Sequence, residues 1–321
     1  MIRFLIARLS QAILVLFIMS YVIYGLMGLM PGDPIDLMIS STPDMTSEDA
    51  ARLKALYGLD KPLTERYFNW LGAAFDGDLG YSRLRSMPVL DALLPALGNT
   101  AVLVGVSFFL TLLLAIPIGI YGALHPYSKT DYGINLFAFV GVSIPSFWQA
   151  LLLIMVFAVL LGWLPAGGTD IGGEGGAWGG LIYLILPIAN LTINGVGGHT
   201  RYMRASMIET MRQDFIRTAR AKGIGRKRVV FKHALRNALM PVITIIALDF
   251  GNLFSGALIT ETIFAYPGMG KLIFEAVMGN DFNLALVALL FATFFTLLGN
   301  FLADVAYAEL DPRIRLGGKS R

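Results

Sequence analysis

Hydrophobic and polar positions alternate along this chain on the scale of whole helices rather than single turns. After Arg3 and Arg8, residues 9–30 form an uncharged, mostly apolar run of 22 positions. At 1.5 Å per residue such a run reaches roughly 33 Å, enough to cross a hydrocarbon layer of about 30 Å. It is too long for a signal-peptide core, and no small-residue cleavage pattern closes it. Five more runs meet the same criterion, at residues 100–124, 136–161, 180–198, 240–260 and 284–306. Pro145 interrupts the third, and Asn190 with Asn194 interrupts the fourth. The pattern predicts an all-α membrane protein with six transmembrane helices.

Composition supports this reading. Of 321 residues, 56% are hydrophobic and 15% charged, where a soluble domain carries about 25% charge. The 35 Gly and 14 Pro are spread among apolar runs, and helices in lipid tolerate both better than soluble helices do. Cysteine is absent, which excludes disulfides and thiolate chemistry.

Charge orients the helices. With the N-terminus in the cytoplasm, the inner segments hold 18 of the 25 Lys and Arg, and the outer segments hold 15 of the 22 acids. Basic residues collect on the cytoplasmic side, so both termini are expected there. The chain then reads as one membrane domain, 1–321, with an outer loop unit at 31–99 and a cytoplasmic loop at 199–239.

The outer loop predicts a helix starting near Ser47, with Glu48 and Asp49 in its first turn. Leu53, Leu56 and Tyr57 would form its buried face, and Gly58 its C-cap. Tyr67, Phe68, Trp70 and Leu71 suggest a second amphipathic turn. Such a unit could rest on the bilayer as a lid or serve as a docking site. The glycine-dense segment 162–179 reads as a flexible connection, and Tyr266-Pro267-Gly268 as a turn.

Enzymatic chemistry finds little support. No G-x-x-x-x-G-K-[ST], H-E-x-x-H or G-x-S-x-G motif occurs. His125, His199 and His233 lack ligand spacing and are read as loop or membrane-surface residues. Polar groups inside the spans do require a reason. Asp249 sits mid-span, where a charge costs about 2.5–3.5 kcal/mol. Asn252 and Ser255 follow on the same helix face. Ser143, Ser146 and Gln149 repeat that spacing, and Asn190 with Asn194 forms an i, i+4 pair. These positions, with Glu261, outline either a substrate path or interhelical hydrogen bonds that hold the bundle together.

The most distinctive stretch is 201–236, with eleven Lys and Arg against two acids, Glu209 and Asp214. Asp214 is expected to cap a short helix through Phe215, Arg217, Thr218, Ala219, Arg220, Ala221 and Lys222, ending at Gly223. Phe215 and Ala219 would share one side, and Arg217 and Arg220 another. Gly225 would allow a sharp re-entry. A second amphipathic helix would then carry Arg228, Lys232 and Arg236 beside Val230, Phe231, Ala234 and Leu235. Both helices would lie on the cytoplasmic membrane surface, where anionic lipid attracts basic groups. Basic loops are ordinary in this topology, so a nucleic-acid partner is not indicated.

This segment resembles the cytoplasmic E-A-A-x3-G loop of bacterial ABC importer permeases, in the form found in the dipeptide/oligopeptide/nickel group. Arg217, Thr218 and Ala219 stand at the E-A-A positions, followed by Gly223, and Leu235-Arg236 replaces the family's Leu-Pro. The runs Met30-Pro31-Gly32-Asp33-Pro34, Tyr57-Gly58-Leu59-Asp60 and Gly77-Asp78-Leu79-Gly80 extend the likeness. So do Ser143-Ile144-Pro145-Ser146-Phe147, Glu261-Thr262 with Tyr266-Pro267-Gly268, and Leu310-Asp311-Pro312-Arg313. The resemblance implies a type I importer permease in the bacterial inner membrane, the first of two related permeases. It further implies two cytoplasmic ATPase subunits that bind ATP and Mg, and an extracytoplasmic substrate-binding protein. This chain itself would hold no cofactor. The substrate implied is a di- or oligopeptide, with nickel, glutathione and oligosaccharides as the group's other cargoes. An ion-gradient transporter working through Asp249 is the competing reading.

Overall fold

A computed structural model describes residues 2–29, 61–169 and 176–310. The predicted helix near Ser47, with Leu53, Leu56, Tyr57 and Gly58, lies outside the described residues, as does 170–175 in the glycine-rich segment.

Helix α1 (Ile2–Gly28) is followed by α2 (Leu63–Phe75), a two-residue hairpin β1 (Tyr81–Ser82) and β2 (Met87–Pro88), and α3 (Val89–Leu124). Next come α4 (Lys129–Ser143), α5 (Ser146–Leu153) with a π-helical extension over Ile154–Leu160, and α6 (Gly176–Met211). The short α7 (Asp214–Ala221) precedes α8 (Arg226–Arg228), which runs through a π segment (Val229–Ala234) into α9 (Leu235–Gly256). Helices α10 (Leu258–Ile263), α11 (Met269–Met278) and α12 (Phe282–Leu310) complete the described chain.

Among the described residues, five helical stretches are long and apolar enough to cross a membrane: Leu5–Gly28, Val89–Leu124, Gly180–Met211, Arg226–Ile246 and Phe282–Val305. The span expected at 136–161 is not one rod. Helices α4 and α5 meet at 102°, and counting the bent pair as one span brings the total to six. Pro145 is the cause. A proline drives the residue before it out of the helical region, and Ile144 adopts φ −82°, ψ 125°.

Other helices run longer than their apolar runs suggest. Helix α6 continues past residue 198 to Met211 and absorbs the start of the basic segment. The second basic run does not lie as a separate surface helix; it is the first turns of the α9 rod. Phe231 is exposed there, while Val229, Val230 and Ala234 are buried. The π register offsets the four-residue spacing by which Phe231 was assigned inward. Within the described part of the glycine segment, the Gly168 amide donates to the Phe264 carbonyl at 2.7 Å.

Among the described residues three apolar clusters form; a small one joins Ala150, Leu186 and Phe264, and two larger ones lie at opposite ends of the bundle. The first joins Tyr24 and Met27 of α1, Tyr67 of α2, Leu93 of α3, Met269 and Leu272 of α11, and Leu284 and Leu286 of α12. The hairpin is fixed to this end by Asp281, which accepts from Ser82 Oγ at 2.6 Å and the Leu84 amide at 2.9 Å. The same carboxylate accepts from the Leu284 amide and so caps α12. The second cluster lies at the basic end, where α3, α6, α7 and the start of the α9 rod meet. Between the ends, apolar side chains such as Phe109, Leu136, Phe137 and Phe139 face outward, as expected where lipid or another membrane subunit is the solvent.

Candidate functional site

At the basic end, α7 is a short helix held by one narrow seam. Ile216 is fully buried and Ala219 nearly so, and both belong to the cluster that includes Ile120, Met203, Met207, Val230 and Ala234. The inward positions are therefore Ile216 and Ala219, one turn apart, rather than Phe215 and Ala219. Phe215 is 42% exposed, and Arg217, Thr218, Arg220, Ala221 and Lys222 are exposed with it.

The ends of α7 are set differently from each other. Asp214 is the first helical residue rather than a cap, and the N-cap Gln213 makes no side-chain cap bond. Asp214 pairs instead with Arg217 one turn on, where an acid also favours the positive end of the helix dipole. The C-terminal end closes as a Schellman motif. The Gly223 amide donates to the Arg220 carbonyl at 2.9 Å and the Ile224 amide to Ala219 at 3.2 Å. Gly223 takes φ +76°, a region that penalises any Cβ. Gly225 has φ −58° and needs no such freedom.

A second anchor holds this end. Arg204 of α6 donates through Nε and Nη2 to both carboxylate oxygens of Asp131 on α4, each at 2.6 Å. Asp131 also accepts from the Tyr127 amide at 2.9 Å. A two-bond guanidinium–carboxylate pair fixes orientation as well as distance.

Near the opposite end, polar groups from five elements are linked. Gln149 Nε2 of α5 donates to both the side-chain and main-chain oxygens of Asn190 on α6, at 3.0 Å each. Asn190 Nδ2 donates to Thr260 Oγ1 of α10 at 3.0 Å, and Asn194 Nδ2 donates to the Asn190 carbonyl at 2.9 Å. The next residue, Glu261, is fully buried. Its carboxylate accepts from Thr100 Oγ1 of α3 at 2.5 Å and from the Lys271 amide of α11 at 3.1 Å. Thr100 Oγ1 accepts in turn from the Met269 amide at 2.7 Å. Burial pushes the Glu261 carboxyl above its ordinary value, opposed by these hydrogen bonds. Such bonds lock α3, α5, α6, α10 and α11 to one another.

The remaining sequence-predicted positions separate. Ser143 is exposed at the end of α4, beside the bend. The side chains of Asn252 and Ser255 lie outside the described residues. Asp249 does not join the Asn190 network. Its Oδ2 lies 3.3 Å from His199 Nε2, a partner that sequence reasoning assigned to the membrane surface. His199 is 7% exposed because α6 continues past it. Thr100, Thr260, Asp131 and His199 were missed as interacting groups, since their partners on other helices lie between 50 and 169 residues away. An ionisable residue facing an apolar run was the only available signal.

Comparison with known proteins adds an independent line. Residues 115–316 match the family described as binding-protein-dependent transport system inner membrane component, and residues 1–104 match the corresponding N-terminal family. The chain is 40% identical over 316 residues to the oligopeptide transport system permease protein AppB of Bacillus subtilis, covering 98% of this chain and 99% of that one. It is 38% identical over 316 residues to the oligopeptide transport system permease protein OppB of Haemophilus influenzae, covering 98% and 100%.

Proposed function

Since the chain belongs to the binding-protein-dependent transport inner membrane component family, as a permease subunit of an ABC-type peptide or oligopeptide importer, we propose that α7 is the element its ATPases grip. The observation that carries this reading is the geometry of α7. Two residues seat it on the apolar cluster while the rest face outward, and a Schellman stop fixes its exit. A rigid, shallowly seated helix can pass a push into α6 and the α9 rod, which share its cluster.

The family implies a multi-subunit assembly with a second permease, ATP-binding subunits and a substrate-binding protein. The sequence has no P-loop, so ATP and Mg belong to two ATPase partners, and this permease is not itself the catalyst. The proposed orientation places both termini and the 199–239 loop in the cytoplasm, with six crossings including the bent α4–α5 pair. On this reading the 31–99 segment faces the binding protein. Exposed apolar faces such as that of α4 meet lipid or the second permease.

The proposed path for di- or oligopeptides runs past Ser143, Asn190, Asn194, Asp249, Asn252, Ser255 and Glu261. Asn190 and Glu261 would contribute by holding helices in register, since their polar atoms are already bonded. Closure of the ATPases on ATP would displace α7 and switch access from outside to inside.

Reconstitution tests the proposal. Proteoliposomes with both permeases, the ATPases and the binding protein should accumulate labelled peptide only with ATP on the ATPase side. Uptake by this chain alone, driven by a proton gradient, would overturn it in favour of a secondary transporter.

A further inference from the structure

The geometry points to a proton-binding site between His199 of α6 and Asp249 of α9, and we propose that the bound proton latches these two helices together. The argument is one of hydrogen-bond accounting. His199 Nδ1 lies 3.0 Å from the Gly195 carbonyl, which can only accept, so Nδ1 carries a hydrogen. In the neutral ring Nε2 is then a lone pair. What faces it at 3.3 Å is a carboxylate oxygen of Asp249, also an acceptor when ionised. Nε2 is buried and has no other hydrogen-bond partner. Two acceptors at that distance repel, and the contact becomes attractive only when the pair holds one further proton, on either group.

The surroundings make that proton matter. The His199 ring is pinned by Gly195 and lies edge-on to Phe108 of α3, with ring centres 6.2 Å apart. It is therefore fixed in the direction it presents to Asp249. The Asp249 side chain is 47% exposed, so this chain's own helices do not seal it off.

On the packed elements the other titratable groups are Asp91 and Tyr121 of α3, with His125 at its C-cap; Lys129, Asp131 and Tyr132 of α4; Tyr183, Arg201, Tyr202, Arg204 and Glu209 of α6; and Asp304, Tyr307 and Glu309 of α12, while the α9 rod has none between Arg236 and Asp249. Arg204 is committed to Asp131 and Asp304 to Arg8. Among the described residues, the ion-pair partner recorded for His199 and for Asp249 is the other.

This latch is distinct from α7. It acts within the bundle, joining the helix that leads into α7 to the helix that leads away from it. Protonation would hold α6 and α9 together at the level of His199, and loss of the proton would let them part there. Nearer the basic end, Ser206 Oγ donating to the Ala238 carbonyl at 2.6 Å keeps them joined.

The natural absence of cysteine allows a direct test on the full permease pair in nanodiscs. Spin labels placed by Tyr202→Cys and Leu248→Cys, both at exposed positions, report the separation of α6 and α9 across pH 5 to 9. The wild-type pair should show a single-proton transition, with the shorter distance at low pH. Asp249→Asn supplies a donor to neutral His199, so it should keep the short distance at every pH. His199→Ala should keep the long distance at every pH. A wild-type distance that does not change with pH overturns the proposal, as does a transition that survives in both variants. The readout is independent of peptide uptake, so its failure leaves the assignment as an importer permease standing.

Discussion

Replacing Gly223 isolates the mechanical role of α7 from its packing. A Cβ built at this glycine meets nothing within 4 Å, so substitution adds no clash. The cost is confined to the backbone. Gly223 sits at φ +76°, and holding an ordinary L-residue in the left-handed region costs roughly 1–2 kcal/mol. That shifts the balance between the closed and frayed forms of the Schellman stop by a factor of about 5–30. Gly223→Ala should therefore reduce peptide moved per ATP hydrolysed several-fold, with little change in assembly. Asn tolerates positive φ better, so Gly223→Asn should fall between glycine and alanine. Gly223→Pro should be most severe, since it removes the amide bonded to Arg220 and fixes φ near −65°. Uptake and ATP hydrolysis measured in the same proteoliposomes give the coupling ratio. A wild-type ratio in Gly223→Ala, or an asparagine variant worse than the alanine one, would refute the lever argument.

Three further substitutions probe other parts of the account. Ile216→Ala removes a fully buried side chain from the cluster under α7, at a cost of about 2–5 kcal/mol, and should raise hydrogen exchange of α7 amides before other helices respond. Breaking the part-buried Asp131–Arg204 pair with Asp131→Ala should cost less than the roughly 3–5 kcal/mol of a fully buried pair; in a thermal denaturation series, adding Arg204→Ala should cost much less than a second full penalty. Glu261 holds its proton more tightly when folded than unfolded, so its contribution to stability is greatest below the ordinary carboxylate range. That contribution declines as pH rises through the raised folded value. Glu261→Gln should flatten this decline in detergent-solubilised unfolding curves, and an unchanged slope would show that another group causes it.

Much of the architecture was readable because membrane helices announce themselves by length. The apolar runs located the spans, and the Gly223 stop was legible because one residue type suits the conformation. The 102° turn at Pro145 was not, because a proline in an apolar run is compatible with a mild kink or a break, and packing decides between them. Helical spacing puts Phe215 and Ala219 on one side of α7, whereas Ala219 is buried with Ile216 and Phe215 is exposed; in eight residues, helical periodicity cannot choose between adjacent apolar side chains. The apolar arc read for the next helix is buried at Val230 and Ala234 but not at Phe231, which is exposed within the π segment Val229–Ala234. Glu261 counts as a path residue on sequence alone, which cannot show that Thr100 and the Lys271 amide each donate to one of its oxygens. Those partners are distant in sequence, as is His199 from Asp249. Local patterns reveal a buried ionisable group, but the group that satisfies it depends on how helices cross.

The central claim is that the outward face of α7 is where the ATPases hold this permease. Because the native sequence has no cysteine, a short cysteine-reactive photo-crosslinker can be placed at Arg217→Cys on that face and at Phe75→Cys, 84% exposed at the opposite end. In the assembled transporter, the Arg217 position should link to an ATPase subunit in a manner that changes with ATP, and the Phe75 position should not. An ATPase crosslink from Phe75, or none from Arg217 in an assembly active for uptake, would contradict the account.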